Sequence, residues 1–248
     1  MTLEILEVDR LECRFVDHHW GFAKERSDMI ERHWEERRRA NPALYDGLVL
    51  LACRVARAIG EDGARILRMS LFKTRFSRFL VWRDLGWPDK SVYNCFSMPA
   101  VRARDGAYLL GEMGPSHSYA GQLYFPCGTP DPSDILADGG VDLAGSLARE
   151  LAEETGLDAA EARAATNWTV IFDRQNVACI KRLDFDAPSQ ALAAKVRAFL
   201  AAERAPELAD ARMISSPEAL SDVRLPAFMV AYLMRELGRA DEIPRRAG

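Results

Sequence analysis

Hydrophobic and polar positions along the 248-residue chain follow two periods, and the changes between them predict a mixture of strands and helices. Alternating or continuous apolar runs predict strands at residues 3–16, 47–59, 64–72, 92–103, 107–113, 122–126, 167–173, 177–185 and 211–214. Helical spacing predicts helices at residues 22–40, 73–85, 142–156, 189–204 and 225–238. Because hairpins and helices are intermixed, the predicted fold class is α/β, or α+β, with a mixed sheet.

A turn-rich break interrupts the pattern at residues 86–91, which read GWPDKS. Glycine, proline and aspartate cluster where a chain leaves one periodic segment for another. We therefore predict an N-terminal α/β extension at residues 1–91 and a second domain at residues 92–248.

The composition argues against two classes of protein, nucleic-acid-binding proteins and membrane-spanning proteins. Hydrophobic residues make up 48% of the chain and charged residues 28%, which is enough apolar material for a core. The net charge is −4 and no basic tract stands out, so nucleic-acid binding is not expected as the main role. No apolar run approaches the roughly 18 residues of a membrane span, and the first ten residues lack an apolar signal core.

The five cysteines form no CxxC pair, which argues against a disulfide framework and against a zinc site. The expectation is a cytoplasmic protein with free thiols. Cys127 is either a reactive thiol beside a site or a packing residue, and packing is favoured. His117 is expected to be a surface loop residue.

The predicted helix at residues 142–156 carries the candidate chemistry. Asp142 suits the N-cap and Gly156 suits the left-handed position after the helix end. At about 100° per residue, Glu150 and Glu154 lie within or beside the leucine stripe of this helix, and Glu153 lies further round. An ordinary amphipathic helix turns its glutamates away from its leucines.

Partly buried carboxylates must take up protons, pair with cations or bind a metal. Arg149 can pair with Glu153 one turn later, but one arginine does not neutralise three carboxylates. A divalent cation such as Mg²⁺ does. The alternative is a solvated helix end with one ion pair, and the charge pattern alone favours this alternative.

The segment RELAEETGL at residues 149–157 resembles the second half of the Nudix box. The matched positions are Arg149, Glu150, Leu151, Glu153, Glu154, Gly156 and Leu157. The first half departs from the family pattern, since Ile135 and Val141 stand where the family has a glycine and a glutamate. The resemblance covers residues 92 to about 240 and leaves residues 1–91 unexplained.

The resemblance implies an α/β/α sandwich and a hydrolase that cleaves a nucleoside diphosphate linked to a group X. It implies Glu150, Glu153 and Glu154 as ligands of Mg²⁺ or Mn²⁺, with Arg149 orienting them. The implied partner is a small nucleotide substrate, with no nucleic acid and no membrane. A homodimer is the protein partner considered.

The sequence leaves several residue roles open. The candidate general bases are Asp173, Glu203 and Glu207. Gly128 is a candidate substrate-binding residue, and so is Arg174, for which a plain hairpin turn is the favoured alternative. The N-terminal extension and the long loop before the helix resemble the subgroup that hydrolyses UDP-glucose and UDP-galactose. A Nudix-like nucleotide-binding or sensor module is the competing function.

Overall fold

The computed structural model describes residues 3–114, 120–221 and 223–238. His117 lies outside these residues. In the described part of the chain, no helix combines the length and the apolarity that crossing a membrane requires.

The N-terminal third of the chain alternates strands and helices. Its elements are β1 (Glu4–Val8), β2 (Arg10–Phe15), α1 (Gly21–Glu25), α2 (Ser27–Ala40), β3 (Leu48–Ile59), β4 (Arg65–Arg75) and α3 (Phe76–Asp84).

The remainder begins with a hairpin and ends with a helix. Its elements are β5 (Asn94–Arg102), β6 (Tyr108–Met113), β7 (Leu123–Tyr124), α4 (Leu143–Thr155), β8 (Ala162–Ala164), β9 (Trp168–Asp173), β10 (Asn176–Phe185), α5 (Ser189–Ala202), β11 (Leu208–Ile214) and α6 (Ala227–Gly238). Three short 3₁₀ helices lie at Pro132–Asp134, Ala159–Glu161 and Glu218–Leu220.

A large mixed sheet forms the centre of the molecule. Six of its eight strands follow the order β1-β9-β10-β5-β6-β11, with β7 paired to β6 and β8 paired to β10. β10 and β5 are parallel, whereas β9 and β10 form an antiparallel hairpin. The prediction of an α/β class with a mixed sheet is confirmed.

Helices cover both faces of the large sheet, because its strands are apolar on both sides. Along β10, Cys179 belongs to the core under α4 and α5, whereas its neighbours Ala178 and Ile180 belong to the core under α6. Successive side chains of a strand point to opposite faces, so this alternation separates the two cores. The arrangement is the α/β/α sandwich that the family resemblance implies.

A second, three-stranded sheet has the order β2-β4-β3. β3 and β4 form the predicted hairpin, and β2 lies parallel to β4. A third apolar cluster joins this sheet to helices α1 and α3 and includes Trp20, Phe72 and Trp82.

The first strand of the chain pairs with the large sheet. β1 is antiparallel to β9, with Leu6 opposite Val170. An isolated bridge between Ala52 and Tyr93 makes a second connection between residues 1–91 and the rest. The break at residues 86–91 contains Trp87, whose φ of 66° lies in the left-handed region. The boundary near residue 91 stays a prediction, and residues on both sides of it contribute strands to one sheet.

Candidate active site

Helix α4 is held at both ends by the residues that the sequence predicts. The Asp142 carboxylate accepts a hydrogen bond from the Gly145 backbone N–H at 2.8 Å. Gly156 has a φ of 67°, and its N–H donates to the Ala152 carbonyl at 2.9 Å. These caps satisfy backbone groups that would otherwise lack partners at the helix ends. The caps fix the ends of the helix, and burial of Leu143, Leu147 and Leu151 fixes its rotation and therefore the direction of its glutamates.

The three glutamates of α4 have different environments. Glu154 is 6% exposed, the Glu150 side chain 16% and the Glu153 side chain 63%. The predicted placement is confirmed, since Glu150 and Glu154 face inwards and Glu153 lies nearer to solvent. A solvated helix end does not describe this segment.

Glu154 is held by the segment that follows β7. The Cys127 backbone N–H donates to Oε1 of Glu154 at 3.0 Å. Oε2 is buried and has no hydrogen-bond partner within the described residues. Burial, followed by the charges of Glu207 and Glu150, raises the pKa of Glu154 to about 9. Loss of solvent is the main cause, because a buried carboxylate loses hydration that its neighbours do not replace.

Glu150 has a cationic partner. The Arg149 Nη1 donates to Oε1 of Glu150 at 2.8 Å. Burial still raises the pKa of Glu150, while the charge of Arg149 lowers it. Glu153 is a weaker partner of the same guanidinium, with the two side chains 3.9 Å apart.

The second strong partner of Arg149 was not expected from the sequence. Its Nη2 donates to Oδ1 of Asp134 at 2.8 Å, and the Asp134 side chain is 5% exposed. Asp134 ends the 3₁₀ helix Pro132–Asp134 and also accepts from the Asp131 N–H at 2.9 Å. Arg149 therefore bridges the loop before α4 to the glutamates on α4, as an orienting residue would.

The two positions that depart from the family pattern face each other. Ile135 and Val141 form an isolated antiparallel bridge, which closes the loop between the 3₁₀ helix and α4. A buried carboxylate partner for Arg149 is thus supplied by Asp134 and not by residue 141. The sequence signal for Asp134 was the Asx-type pattern DPSD at residues 131–134, in which an acidic residue follows a turn.

The glutamates of α4 share one small cavity with two further glutamates, and we call it the carboxylate cavity. A cavity of about 200 Å³ is lined by Glu150, Glu153, Glu154, Phe199, Leu200, Glu203, Ala205, Pro206 and Glu207. Two of the three candidate general bases, Glu203 and Glu207, therefore lie beside the glutamates of α4. Asp173, at the end of β9, is not among the lining residues.

The residues of this cavity fit a divalent cation by chemistry. In the part of the chain that the structure describes, no three His, Cys, Asp or Glu side chains are already gathered into a ligand set. The cavity nevertheless holds five carboxylates, one of which has a buried oxygen with no partner in the described residues. Carboxylate oxygens are the ligands that suit Mg²⁺ and Mn²⁺.

Gly128 lies directly against Glu150. A Cβ built on Gly128 would come within 2.4 Å of Cδ of Glu150. The close approach of backbone to carboxylate explains a glycine at this position. Gly128 also lines a second cavity, of about 280 Å³, which we call the aromatic cavity because six aromatic side chains contribute to its walls.

Arg174 lies apart from both cavities. It is exposed at the turn between β9 and β10, has a φ of 56°, and is not a lining residue of either cavity. Its proposed contact with substrate stays a prediction. Loss of solvent and the nearby Glu154 raise the pKa of the Cys127 thiol well above its usual value, which favours the packing role.

Comparison with known proteins gives matches among solved structures alone. No family model matches the chain, and no curated protein does. The MutT protein from Methanosarcina mazei Go1 is 18% identical, with 61% of this chain and 96% of that chain covered and a TM-score of 0.39. RenU, a Nudix hydrolase from M. smegmatis, is 15% identical, with 78% and 99% covered and a TM-score of 0.38.

A third solved structure is a bifunctional NMN adenylyltransferase/ADP ribose pyrophosphatase from Francisella tularensis. It is 18% identical, with 64% of this chain and 46% of that chain covered and a TM-score of 0.41. All three identities lie below 20% and all three TM-scores below 0.5, so the function rests on the residues of the site. RenU and two further solved structures, from Nitrosomonas europaea and Clostridium perfringens, are named as Nudix hydrolases, the family that residues 149–157 also resemble.

Proposed function

We propose that this chain is a metal-dependent hydrolase that cleaves the diphosphate of a nucleoside diphosphate linked to X, giving a nucleoside monophosphate and phosphoryl-X. One observation carries the proposal: Glu154 is buried in a cavity with four other carboxylates, and its Oε2 has no partner within the described residues. A buried carboxylate without a counter-charge is costly. A site that must hold a cation explains that cost.

Glu150, Glu153 and Glu154 would hold Mg²⁺ or Mn²⁺. The cation would supply positive charge to the diphosphate and to the attacking water. Arg149 keeps Glu150 in position, because the same guanidinium is anchored by the buried Asp134. The Cys127 N–H does the same for Glu154. These contacts limit the rotamers of both carboxylates before any ligand binds.

Glu207 is our candidate for the general base. It lines both the carboxylate cavity and the aromatic cavity, so it borders the space between a diphosphate and the rest of the substrate. Glu203 lines the carboxylate cavity and is the second candidate. For the substrate we propose a UDP-sugar, in which X is glucose or galactose, because the N-terminal extension and the long loop before α4 resemble the subgroup that hydrolyses UDP-glucose and UDP-galactose.

The direct test is turnover. The protein would be incubated with Mg²⁺ and separately with UDP-glucose, UDP-galactose, ADP-ribose, NADH or a diadenosine polyphosphate, and the released monophosphate would be measured. Metal-dependent release from at least one compound is expected. Absence of release from all of them, with Mn²⁺ as well as Mg²⁺, would overturn the hydrolase proposal.

A nucleotide-sensing module is the second candidate. It is favoured by the substituted loop, where Ile135 and Val141 replace the glycine and glutamate of the family. Measurable nucleotide binding without turnover in the same panel would support this function.

A further inference from the structure

The walls of the aromatic cavity come from two parts of the chain, the end of the N-terminal segment and the residues after position 91. Its lining residues from the N-terminal segment are Phe76, Phe79, Arg83 and Trp87. The facing aromatic residues are Phe96, Tyr124 and Phe228. Its volume is about 280 Å³. A flat, unsaturated ring system is the kind of ligand that such walls stabilise, through stacking and edge-to-face contacts.

Two asparagines supply polar groups in this apolar wall. Asn94 is 9% exposed, and its Nδ2 donates to Oδ1 of Asn176 at 3.0 Å. Oδ1 of Asn94 is buried and has no hydrogen-bond partner in the described chain. Both residues line the cavity. The buried Oδ1 of Asn94 is costly unless a ligand donates to it, and together with the half-buried Asn176 amide it can match donors and acceptors on the edge of a base.

The aromatic cavity adjoins the carboxylate cavity. Glu207 lines both, and Gly128, which lines the aromatic cavity, is packed against the Glu150 carboxylate. A ligand with a flat ring in the first cavity would therefore carry its phosphates towards the second. A nucleotide has this arrangement of parts.

A residue with strained backbone lies just after the C-terminal end of α3. Trp87 has a φ of 66°, although it is not a glycine. Its ring packs edge-to-face on Trp82, with 4.4 Å between the ring centroids. The Trp82 indole N–H in turn donates to the Asp89 carbonyl at 2.8 Å. Non-glycine residues in this region of φ cluster at binding sites, where the surrounding packing maintains the strain.

We infer that the aromatic cavity binds the nucleobase of the substrate, with Asn94 and Asn176 reading its edge and α3 of the N-terminal segment forming one wall. The inference rests on the proposed function for its choice of a nucleotide. It gives residues 76–87 a role in substrate selection.

The test is binding of ligands that contain the base but no diphosphate. UMP, CMP, AMP, GMP and ribose 5-phosphate would be titrated by calorimetry in EDTA, so that metal and turnover play no part. We expect at least one nucleotide to bind tenfold or more tightly than ribose 5-phosphate. Asn176→Ala should weaken that nucleotide at least fivefold and leave ribose 5-phosphate unchanged. Asn41→Ala, at the end of α2 and outside the cavity, is the matched control.

A second readout locates the ligand. The bound nucleotide should change the tryptophan fluorescence of the wild type, and Trp87→Phe should remove most of that change. Circular dichroism of each variant checks the fold. The inference is overturned if no nucleotide exceeds ribose 5-phosphate, or if folded Asn176→Ala and Trp87→Phe proteins behave as the wild type does. Turnover without base preference would refute this inference alone, and base-dependent binding without turnover would refute the hydrolase alone.

Discussion

The Cys127 backbone N–H donates a hydrogen bond to Oε1 of Glu154 at 3.0 Å, and this contact ties the loop after β7 to the last turn of α4. One oxygen of the carboxylate is therefore fixed by the main chain, which a side-chain substitution at residue 127 does not remove. The other oxygen has no partner among the described residues. With Oε1 held by the main chain, Oε2 is the atom of Glu154 that could bind a ligand.

Replacing Glu154 by glutamine tests its role as a ligand. Glutamine keeps the shape and the bond from Cys127 but removes the charge. We expect kcat/KM to fall by about 10²-fold or more, since a metal supplies several kcal/mol of transition-state stabilisation and 1.4 kcal/mol is a factor of ten. Glu161→Gln, at an exposed ion pair with Lys195, is the control and should retain full activity. An activity within threefold of the wild type would contradict the assignment.

The same variant makes a prediction for the pH dependence of stability. The pKa of Glu154 is raised from 4.5 to about 9. Between these values the folded protein binds a proton that the unfolded chain releases, so the metal-free protein loses stability as the pH rises, by at most about 1.4 kcal/mol per pH unit. Glu154→Gln has no such proton to lose. In EDTA its free energy of unfolding should exceed that of the wild type at pH 8, with a smaller difference at pH 5.

Urea unfolding at the two pH values measures this difference. Adding Mg²⁺ at pH 8 should stabilise the wild type more than the variant, because binding to the folded state raises stability. A difference between the two proteins that is the same at pH 5 and pH 8 would show that Glu154 does not titrate in this range.

Gly128→Ala tests the close approach of the loop to Glu150. The added methyl group would displace the carboxylate, which is the far end of a flexible side chain. We therefore expect turnover to fall about tenfold or more while the free energy of unfolding changes by less than about 1 kcal/mol. Gly21→Ala is the control, since a Cβ there meets only the Glu25 carboxylate at an ordinary 3.6 Å. Unchanged turnover in Gly128→Ala would remove the reason given for this glycine.

Asp134→Asn tests the anchoring of Arg149. Loss of the charge leaves a half-buried guanidinium with a weaker partner, so we expect a destabilisation of about 2 kcal/mol and a reduced kcat. Asp186→Asn breaks the exposed Arg104–Asp186 pair, with an expected cost of about 0–1 kcal/mol. Equal costs for the two variants in urea unfolding, together with an unchanged kcat in Asp134→Asn, would mean that Asp134 is not a positioning residue.

The helix that carries the glutamates was predictable because its information is local. Asp142, Gly156 and the leucine stripe lie within one segment, and together they set the ends and the rotation of α4. The inward direction of Glu150 and Glu154 follows from that rotation. The β3–β4 hairpin was predictable for the same reason, since its turn lies between two apolar runs.

The contacts between distant segments were not predictable. Three strand pairings depend on partners that are distant along the chain: β1 with β9, β2 with β4, and β8 with β10. Asp134 lies in a loop without periodicity, and its local DPSD pattern indicates a turn but not the pairing with Arg149 fifteen residues later. Short strands and loop contacts of this kind are selected by tertiary packing and not by local preference.

The pairing of β1 with β9 has a consequence for attempts to shorten this chain. A fragment that begins after residue 91 would lack β1 and would leave β9 as an open edge, whose unpaired N–H and C=O groups invite aggregation. It would also lack Phe76, Phe79 and Arg83. A shortened version of this chain should therefore keep the first ninety residues, because they complete both the large sheet and the aromatic cavity.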